Sequence, residues 1–189
     1  MTNKTFNIII TGVGGQGLVT LVQIIDETAF IEGYDIKSSE LHGLSQRGGA
    51  VLVHIRFGRK VCSPMVSRGQ ADLIIGLEML EGLRGSEFSG PKTNFLINKY
   101  SLPFMGGLKG EEIIKLLPKE NLHLVPASEI CKEKLQNEVV SGLYLLGYAI
   151  HKKLMPLDEK SVAEAINKII PPKYQELNLK ALKLPHENN

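Results

Sequence analysis

One stretch decides the fold of this chain, and it runs Phe6-Asn7-Ile8-Ile9-Ile10-Thr11-Gly12-Val13-Gly14-Gly15-Gln16-Gly17. Its apolar, β-branched first half is typical of a strand that is buried on both faces. Apolar residues then recur at helical spacing from Leu18 to Glu32, and the residues from Tyr34 to Ser39 have the pattern of a second strand. The sequence therefore predicts a strand–helix–strand unit with a right-handed crossover and a glycine-rich first turn.

The rest of the chain continues this alternation. Further strands are predicted at 50–57, 71–76, 94–98 and 122–126, and residues 61–66 are predicted to return as a hairpin partner of the first of these. Helices are expected from about residue 78 and at 111–117, 128–153, 158–169 and 173–184. These elements predict one α/β domain over residues 1–189. It is expected to be Rossmann-like, with a mainly parallel sheet, a central antiparallel excursion and a helical C-terminal third.

Composition excludes several classes of protein. The 189 residues are 43% hydrophobic and 22% charged with a formal charge of +2, which is unlike a disordered chain. No apolar run reaches the roughly 18 residues of a membrane span, and no export signal precedes the first strand, so we expect a cytoplasmic protein. The basic residues are scattered and Trp is absent, which argues against nucleic-acid binding. Cys62 and Cys131 are too few for an iron–sulfur cluster or a structural zinc site, and we expect two reduced thiols.

The turn Gly12-x-Gly14-x-x-Gly17 has the spacing of the dinucleotide fingerprint, with a strand before it and a helix after it. Glycines let backbone N–H groups approach an anion closely, and the start of the following helix attracts negative charge. Two interpretations stay open: an anion or cofactor site, or a tight turn that only packs the helix on the sheet. An NAD site also needs an acid at the end of the second strand. Asp35 comes too early for that role, and Glu40 opens an unusual segment.

That unusual segment is Ser38-Ser39-Glu40-Leu41-His42-Gly43-Leu44-Ser45-Gln46-Arg47-Gly48-Gly49, at the carboxyl end of a predicted strand, where open α/β sheets bind ligands. Arg47 is suited either to hold a phosphate or carboxylate or to order the loop through a salt bridge. His42 is suited to titrate near neutrality, although a lone histidine is more often a hydrogen-bonded loop residue. No catalytic or metal-ligating residue is predicted. The candidate cofactor-binding residues are Gly12, Gly14, Gly15, Gln16, Gly17, Glu40, His42, Gln46, Arg47, Gly48 and Gly49.

Together these segments resemble the gamma-type domain of 2-oxoacid:ferredoxin oxidoreductases. The resemblance rests on Gly12–Gly17, on Ser39-Glu40-x-His42-Gly43-x-Ser45-Gln46-Arg47-Gly48-Gly49 and on Val53–Gly58, and it continues through 71–78 and 137–147. The His-Gly-x-Ser-Gln-Arg-Gly-Gly form is most similar to the small, beta subunit of the indolepyruvate branch.

The resemblance implies a heteromeric oxidoreductase. In that family a 2-oxoacid is decarboxylated on thiamine diphosphate, electrons pass through Fe–S clusters to ferredoxin, and the acyl group goes to coenzyme A. Thiamine diphosphate, Mg and the Fe–S clusters are expected in a large partner subunit, and this chain is expected to be a cluster-free small subunit that is inactive alone. The identity of the 2-oxoacid, a contact between coenzyme A and this chain, and a homodimer of the isolated chain stay open.

Two other functions stay open from the residues themselves. One is a stand-alone NAD(P)- or flavin-binding oxidoreductase that uses the turn Gly12–Gly17, and the poorly placed acid counts against it. The other is a non-catalytic nucleotide-binding module, which the absence of a DNA-reading element weakens.

Overall fold

A mixed sheet forms the centre of the protein in the computed structural model, which describes residues 4–43, 48–102 and 107–187. Within these residues the strand order is β2-β3-β1-β4-β5-β6. The strands are β1 (Phe6–Val13), β2 (Asp35–His42), β3 (Ala50–Gly58), β4 (Ala71–Gly76), β5 (Ser89–Asn98) and β6 (Leu122–Val125). β3 is antiparallel to both of its neighbours, whereas β1, β4, β5 and β6 pair in parallel. The predicted mainly parallel sheet with a central antiparallel excursion is confirmed.

Helices cover both faces of the sheet. They are α1 (Leu18–Ile31), α2 (Met79–Gly85), α3 (Gly110–Leu116), α4 (Ala127–Leu135), α5 (Ser141–His151), α6 (Glu159–Ile169) and α7 (Pro172–Glu187). Ile8 and Ile10 on β1 pack into a core with α1 and α4 to α7, while Ile9 between them packs into a second core with α2 and α3. This alternation explains why three successive positions of the opening strand, Ile8 to Ile10, are all apolar. None of the helices in the described ranges combines the length and apolar character that crossing a bilayer requires.

The prediction of a strand at 61–66 is wrong. These residues form no strand, and β3 pairs instead with β2 on one side and with β1 on the other. Both edges of β3 are therefore already occupied, and no backbone groups are left for a further strand. The segment is held by side chains instead: Arg56 donates to the carbonyl of Ser63 over 3.0 Å, and the Val66 N–H donates to His54 Nδ1 over 3.1 Å.

The prediction of one long helix at 128–153 is also wrong, because two helices occupy this range. α4 ends where Gln136 adopts a left-handed conformation with φ 53°. Asn137 then caps a 3-10 turn, Glu138–Val140, by accepting a hydrogen bond from the Val139 N–H over 3.0 Å, and α5 follows directly. By contrast, the predicted helix start at Asp158 is confirmed, since its carboxylate accepts from the Lys160 N–H over 2.8 Å.

The close packing of α5 against α7 generates a testable prediction. A Cβ on Gly147 would overlap the carbonyl oxygen of Leu182, a backbone atom that cannot move aside locally. We expect Gly147→Ala to lower the free energy of unfolding by about 1–3 kcal/mol, as overpacked cores do. Urea denaturation followed by circular dichroism measures the change.

Gly142 on the same helix is the matched control. A Cβ there would meet Leu21 Cδ2 at 3.5 Å, an ordinary contact. Gly142→Ala should therefore be neutral or stabilising by up to about 1 kcal/mol, because alanine favours helices. Equal effects of the two substitutions would contradict the close approach of α7 to Gly147.

Candidate functional site

The glycine turn joins β1 to α1 and uses its glycines for different purposes. Gly15 and Gly17 have φ values of 104° and 78°, which side chains other than hydrogen rarely permit. Gly17 is the N-cap residue of α1 and has no side chain. The first N–H groups of the helix therefore donate no hydrogen bond to a capping side chain. Gly12 is a packing position, because a Cβ there would lie 3.1 Å from that of Leu77. Gly15 faces open space, since a Cβ there would have no neighbour within 4 Å.

The second glycine segment lies directly on this turn. The Gly14 N–H donates to the Gly49 carbonyl over 2.9 Å, and the Gly48 N–H donates to the Gly14 carbonyl over 3.2 Å. The sequence predicted both segments separately as candidate sites, and the structure joins them at one edge of the sheet. Gln46 and Arg47 lie outside the described residues.

A cleft of about 410 Å³ opens beside the turn, and we refer to it as the glycine cleft. It is lined by Gly14, Gly15, Gly17, Leu18, Val19, Glu40, His42 and Val51. Glu40 and His42 reach it because β2 extends to residue 42, three residues beyond the predicted end. His42 Nδ1 lies 3.1 Å from the Gly43 carbonyl, as expected of a hydrogen-bonded loop histidine. The structure therefore brings together five of the candidate residues in one cleft.

Strand order argues against a dinucleotide at this cleft. In the NAD-binding fold the acidic residue ends the strand next to β1. Here β3 is inserted between β1 and β2, so Glu40 lies two strand spacings from β1, roughly 10 Å in place of about 5 Å. The ribose-binding geometry of that fold is therefore not reproduced.

The side chain of Gln16, another candidate residue, makes a hydrogen bond within the turn itself. Its Oε1 accepts a hydrogen bond from the Val13 N–H over 2.8 Å, which closes the turn on itself. Because the partner is a donor, the amide oxygen must point to Val13, and the Nε2 group points away from it.

Sequence reasoning missed an apolar surface on the other side of the turn. A groove of about 360 Å³ runs from Gly17 past Val139 to Tyr174, and these two side chains are 61% and 49% exposed. Val139 belongs to a run of otherwise buried apolar residues, and a continuous helix would place it among them. The 3-10 turn changes its direction, and helical periodicity carries no signal for that change.

The two cysteines offer no metal centre. Cys131 is fully buried in α4, and burial raises the pKa of its thiol to about 12, so it stays protonated at neutral pH. Cys62 is exposed. Across residues 4–43, 48–102 and 107–187 we find no group of three or more His, Cys, Asp or Glu side chains placed to hold a metal ion.

A half-buried acid links α1 to β2. Asp26 Oδ2 accepts a hydrogen bond from Ser38 Oγ over 2.6 Å, and its Oδ1 is buried without a hydrogen-bond partner among the described residues. Burial raises the pKa of Asp26 above its usual value, and the negative charge of Glu40 raises it further, while the bond from Ser38 opposes the shift.

Comparison with known proteins places this architecture in a family. The model of the pyruvate ferredoxin/flavodoxin oxidoreductase family matches residues 7–187. The chain is 36% identical over 187 residues to indolepyruvate oxidoreductase subunit IorB of Archaeoglobus fulgidus, which covers 94% of this chain and 92% of that protein. It therefore belongs to the pyruvate ferredoxin/flavodoxin oxidoreductase family.

Solved structures share its fold. The gamma subunit of a keto/oxoacid ferredoxin oxidoreductase from Geobacter sulfurreducens superposes with a TM-score of 0.74 at 22% identity, over 96% of each chain. The 2-oxoglutarate:ferredoxin oxidoreductase of Magnetococcus marinus, solved with 2-oxoglutarate, coenzyme A and succinyl-CoA bound, superposes with a TM-score of 0.76 at 15% identity. That match covers 98% of this chain and 31% of the longer one, so the same fold also occurs as part of a larger polypeptide.

The raised pKa of Asp26 predicts a pH-dependent effect of its substitution. Because the folded state disfavours the ionised carboxylate, stability should rise as the pH falls from above the folded pKa towards the unfolded value. Asp26→Asn keeps an acceptor for Ser38 and removes the charge. We expect a higher melting temperature than wild type at pH 8, with the difference shrinking in acid.

Glu27, the neighbouring acid on α1, provides the control, since it is paired with Lys168 over 3.2 Å. Glu27→Gln should leave the melting temperature unchanged or lower it slightly. A melting temperature of Asp26→Asn below wild type at pH 8 would refute the unfavourable burial of this charge.

Proposed function

We propose that this chain is the small subunit of a 2-oxoacid ferredoxin oxidoreductase of the indolepyruvate type. With a large thiamine diphosphate and Fe–S subunit, it supports oxidative decarboxylation of an aryl 2-oxoacid to the acyl-CoA, with reduction of ferredoxin, in the cytoplasm. The observation that carries the proposal is the family match over residues 7–187, joined to a relative of similar length named as an indolepyruvate oxidoreductase subunit.

The small number of cysteine ligands in this chain supports the assignment of the Fe–S clusters to the large subunit. An Fe–S cluster usually takes four thiolates, and this sequence has two cysteines, one of them held as a buried thiol with a pKa of about 12. We therefore assign the clusters to the large subunit, and we assign thiamine diphosphate and Mg to it because the resemblance to the family implies this. The small subunit contributes surface and shape rather than redox centres.

The glycine-turn edge is the surface that we assign to the large subunit. Apolar side chains flank the turn on both sides: Val19 is 54% exposed, Val139 61% and Tyr174 49%. Partly exposed apolar groups around a rigid backbone turn are suited to an interface with another protein. Such an interface also explains the open glycines, because a partner can approach the backbone there without meeting a side chain.

Coenzyme A is proposed to pass along the glycine cleft in the assembled complex. Its phosphates are anions, and the amides at the start of α1 favour negative charge. The larger Magnetococcus marinus enzyme, which contains this fold, was solved with coenzyme A bound. In the complex, addition of coenzyme A should slow amide hydrogen exchange at residues 14–19.

Purification under anaerobic conditions tests the function directly. The affinity-tagged chain should recover a brown, thiamine-containing larger subunit from its native extract. The eluate should reduce a viologen dye only when indolepyruvate and coenzyme A are both present, and the chain alone should be inactive. A colourless chain with no partner would overturn the proposal, and titration with NAD, NADP and FAD would then test the stand-alone alternative.

Substitution of Val139 tests the position of the interface. Val139→Lys places a charge at the centre of the proposed contact, and we expect at least a tenfold loss of the co-purified large subunit. Phe30→Lys is the matched control, because Phe30 is 69% exposed but lies at the far end of α1, about 18 Å from its start. Equal retention of the partner by both variants would exclude Val139 from the interface.

A further inference from the structure

A second, smaller cleft lies on the other side of the glycine turn from the glycine cleft. It has a volume of about 110 Å³, and we refer to it as the hydroxyl cleft. Its polar lining consists of Gln16, Tyr100, Ser128, Glu138 and Ser141. Gln16 follows β1, Tyr100 follows β5 and Ser128 follows β6, so the cleft lies beyond the carboxyl ends of the parallel strands. Open α/β sheets bind their ligands in this position, where the connections diverge from the central strand.

A buried amide fixes the direction in which one of these hydroxyls can donate. Asn98 is fully buried, and its Nδ2 donates to the Leu77 carbonyl over 3.0 Å and to Ser128 Oγ over 2.8 Å. Asn98 Oδ1 accepts from the Ser128 N–H over 3.2 Å. Ser128 Oγ therefore already accepts a hydrogen bond from Asn98, and its own proton has no acceptor among the described residues. That proton is available to the cleft.

Ser141 supplies a second donor of the same kind. It is only 8% exposed and lines the cleft, and its hydroxyl makes no hydrogen bond to any residue that the structure describes. Ser141 is otherwise buried, so its hydroxyl is free to donate to a group that enters the cleft. Gln16 adds its Nε2 group, because its Oε1 is bound to the Val13 N–H.

Of the helices that begin around the cleft, α1 is the one whose start favours negative charge. α1 begins immediately after Gly17, α4 begins one residue before Ser128, and α5 begins at Ser141. α1 has neither a side-chain cap nor an acidic residue in its first turn, so its positive end is not compensated locally. The first turn of α4, by contrast, contains Glu129, and its Ser128 N–H donates to Asn98. Glu138 is the one carboxylate in the lining, and it is exposed at the rim. Its charge opposes an anion and limits the affinity.

We propose that the hydroxyl cleft binds a small oxyanion, either a carboxylate or a phosphate group, through Ser128 Oγ, Ser141 Oγ and Gln16 Nε2. The inference goes beyond the proposed function and is independent of it, because every donor belongs to this chain. Hydroxyl and amide donors together with the start of α1 supply what an oxyanion requires, and a volume of about 110 Å³ limits the ligand to a small group.

Titration of the full chain with inorganic phosphate and, separately, with acetate tests the site. Amide chemical shifts at residues 15, 16, 128 and 141 are measured by NMR at constant ionic strength. We expect saturable shifts at these amides with at least one of the two probes. Saturation with phosphate alone supports a phosphate group as the natural ligand, and saturation with acetate alone supports a carboxylate. Shifts that stay linear with both probes would overturn the proposal.

Three variants separate a binding role from a structural one. Ser141→Ala should weaken binding roughly tenfold, because it removes one hydrogen bond to a charged group. Glu138→Gln should tighten binding, since it removes the opposing charge, and a merely destabilised protein would not do so. Ser161→Ala, on α6 away from the cleft, should leave the affinity unchanged. Identical affinities of Ser141→Ala and wild type would exclude the assigned donor set.

Discussion

The antiparallel pairing of β1 with β3 is the interaction on which the carboxyl edge of the sheet depends. Its register runs from Phe6 opposite Phe57 to Val13 opposite Ala50, so the two strands stay paired up to the last residue of β1. The residues that precede β3 must therefore meet the turn that follows β1. Two backbone hydrogen bonds, which join Gly14 to Gly48 and to Gly49, hold these two segments together. The same insertion moves β2 outward, which separates Glu40 from the position that an NAD site requires.

Around this edge, the fold combines a rigid base with an open surface. Below it, β1 is buried on both faces between two apolar cores, and the buried amide of Asn98 ties the end of β4 to the start of α4. Above it lie the glycine cleft, the hydroxyl cleft and the exposed side chains of Val139 and Tyr174. A preorganised backbone with exposed apolar groups suits the protein interface that we propose at this edge.

Local sequence patterns predicted the positions of strands and helices better than they predicted which strands pair with each other. The strand from Phe6, the glycine turn and the helix start at Asp158 follow from burial periodicity, glycine chemistry and capping, which act within a few residues. The hairpin at 61–66 failed because the edges of β3 were occupied by β1 and β2, strands distant in sequence. The prediction of one helix at 128–153 was wrong because Gln136 adopts φ 53° and ends α4. Glutamine rarely adopts a positive φ, so its residue type does not predict this conformation.

The sequence by itself determined that the chain is α/β, that its first turn is rich in glycine, and that two cysteines cannot supply a cluster. Its motifs also indicated the family through their resemblance to it, and the family model that matches residues 7–187 confirms that assignment. Only the tertiary structure decided that β3 lies between β1 and β2, that Val139 is exposed, and that Ser128 and Ser141 line one cleft. The reason is that periodicity records burial and local conformation, whereas strand order and the meeting of distant loops depend on long-range pairing energies.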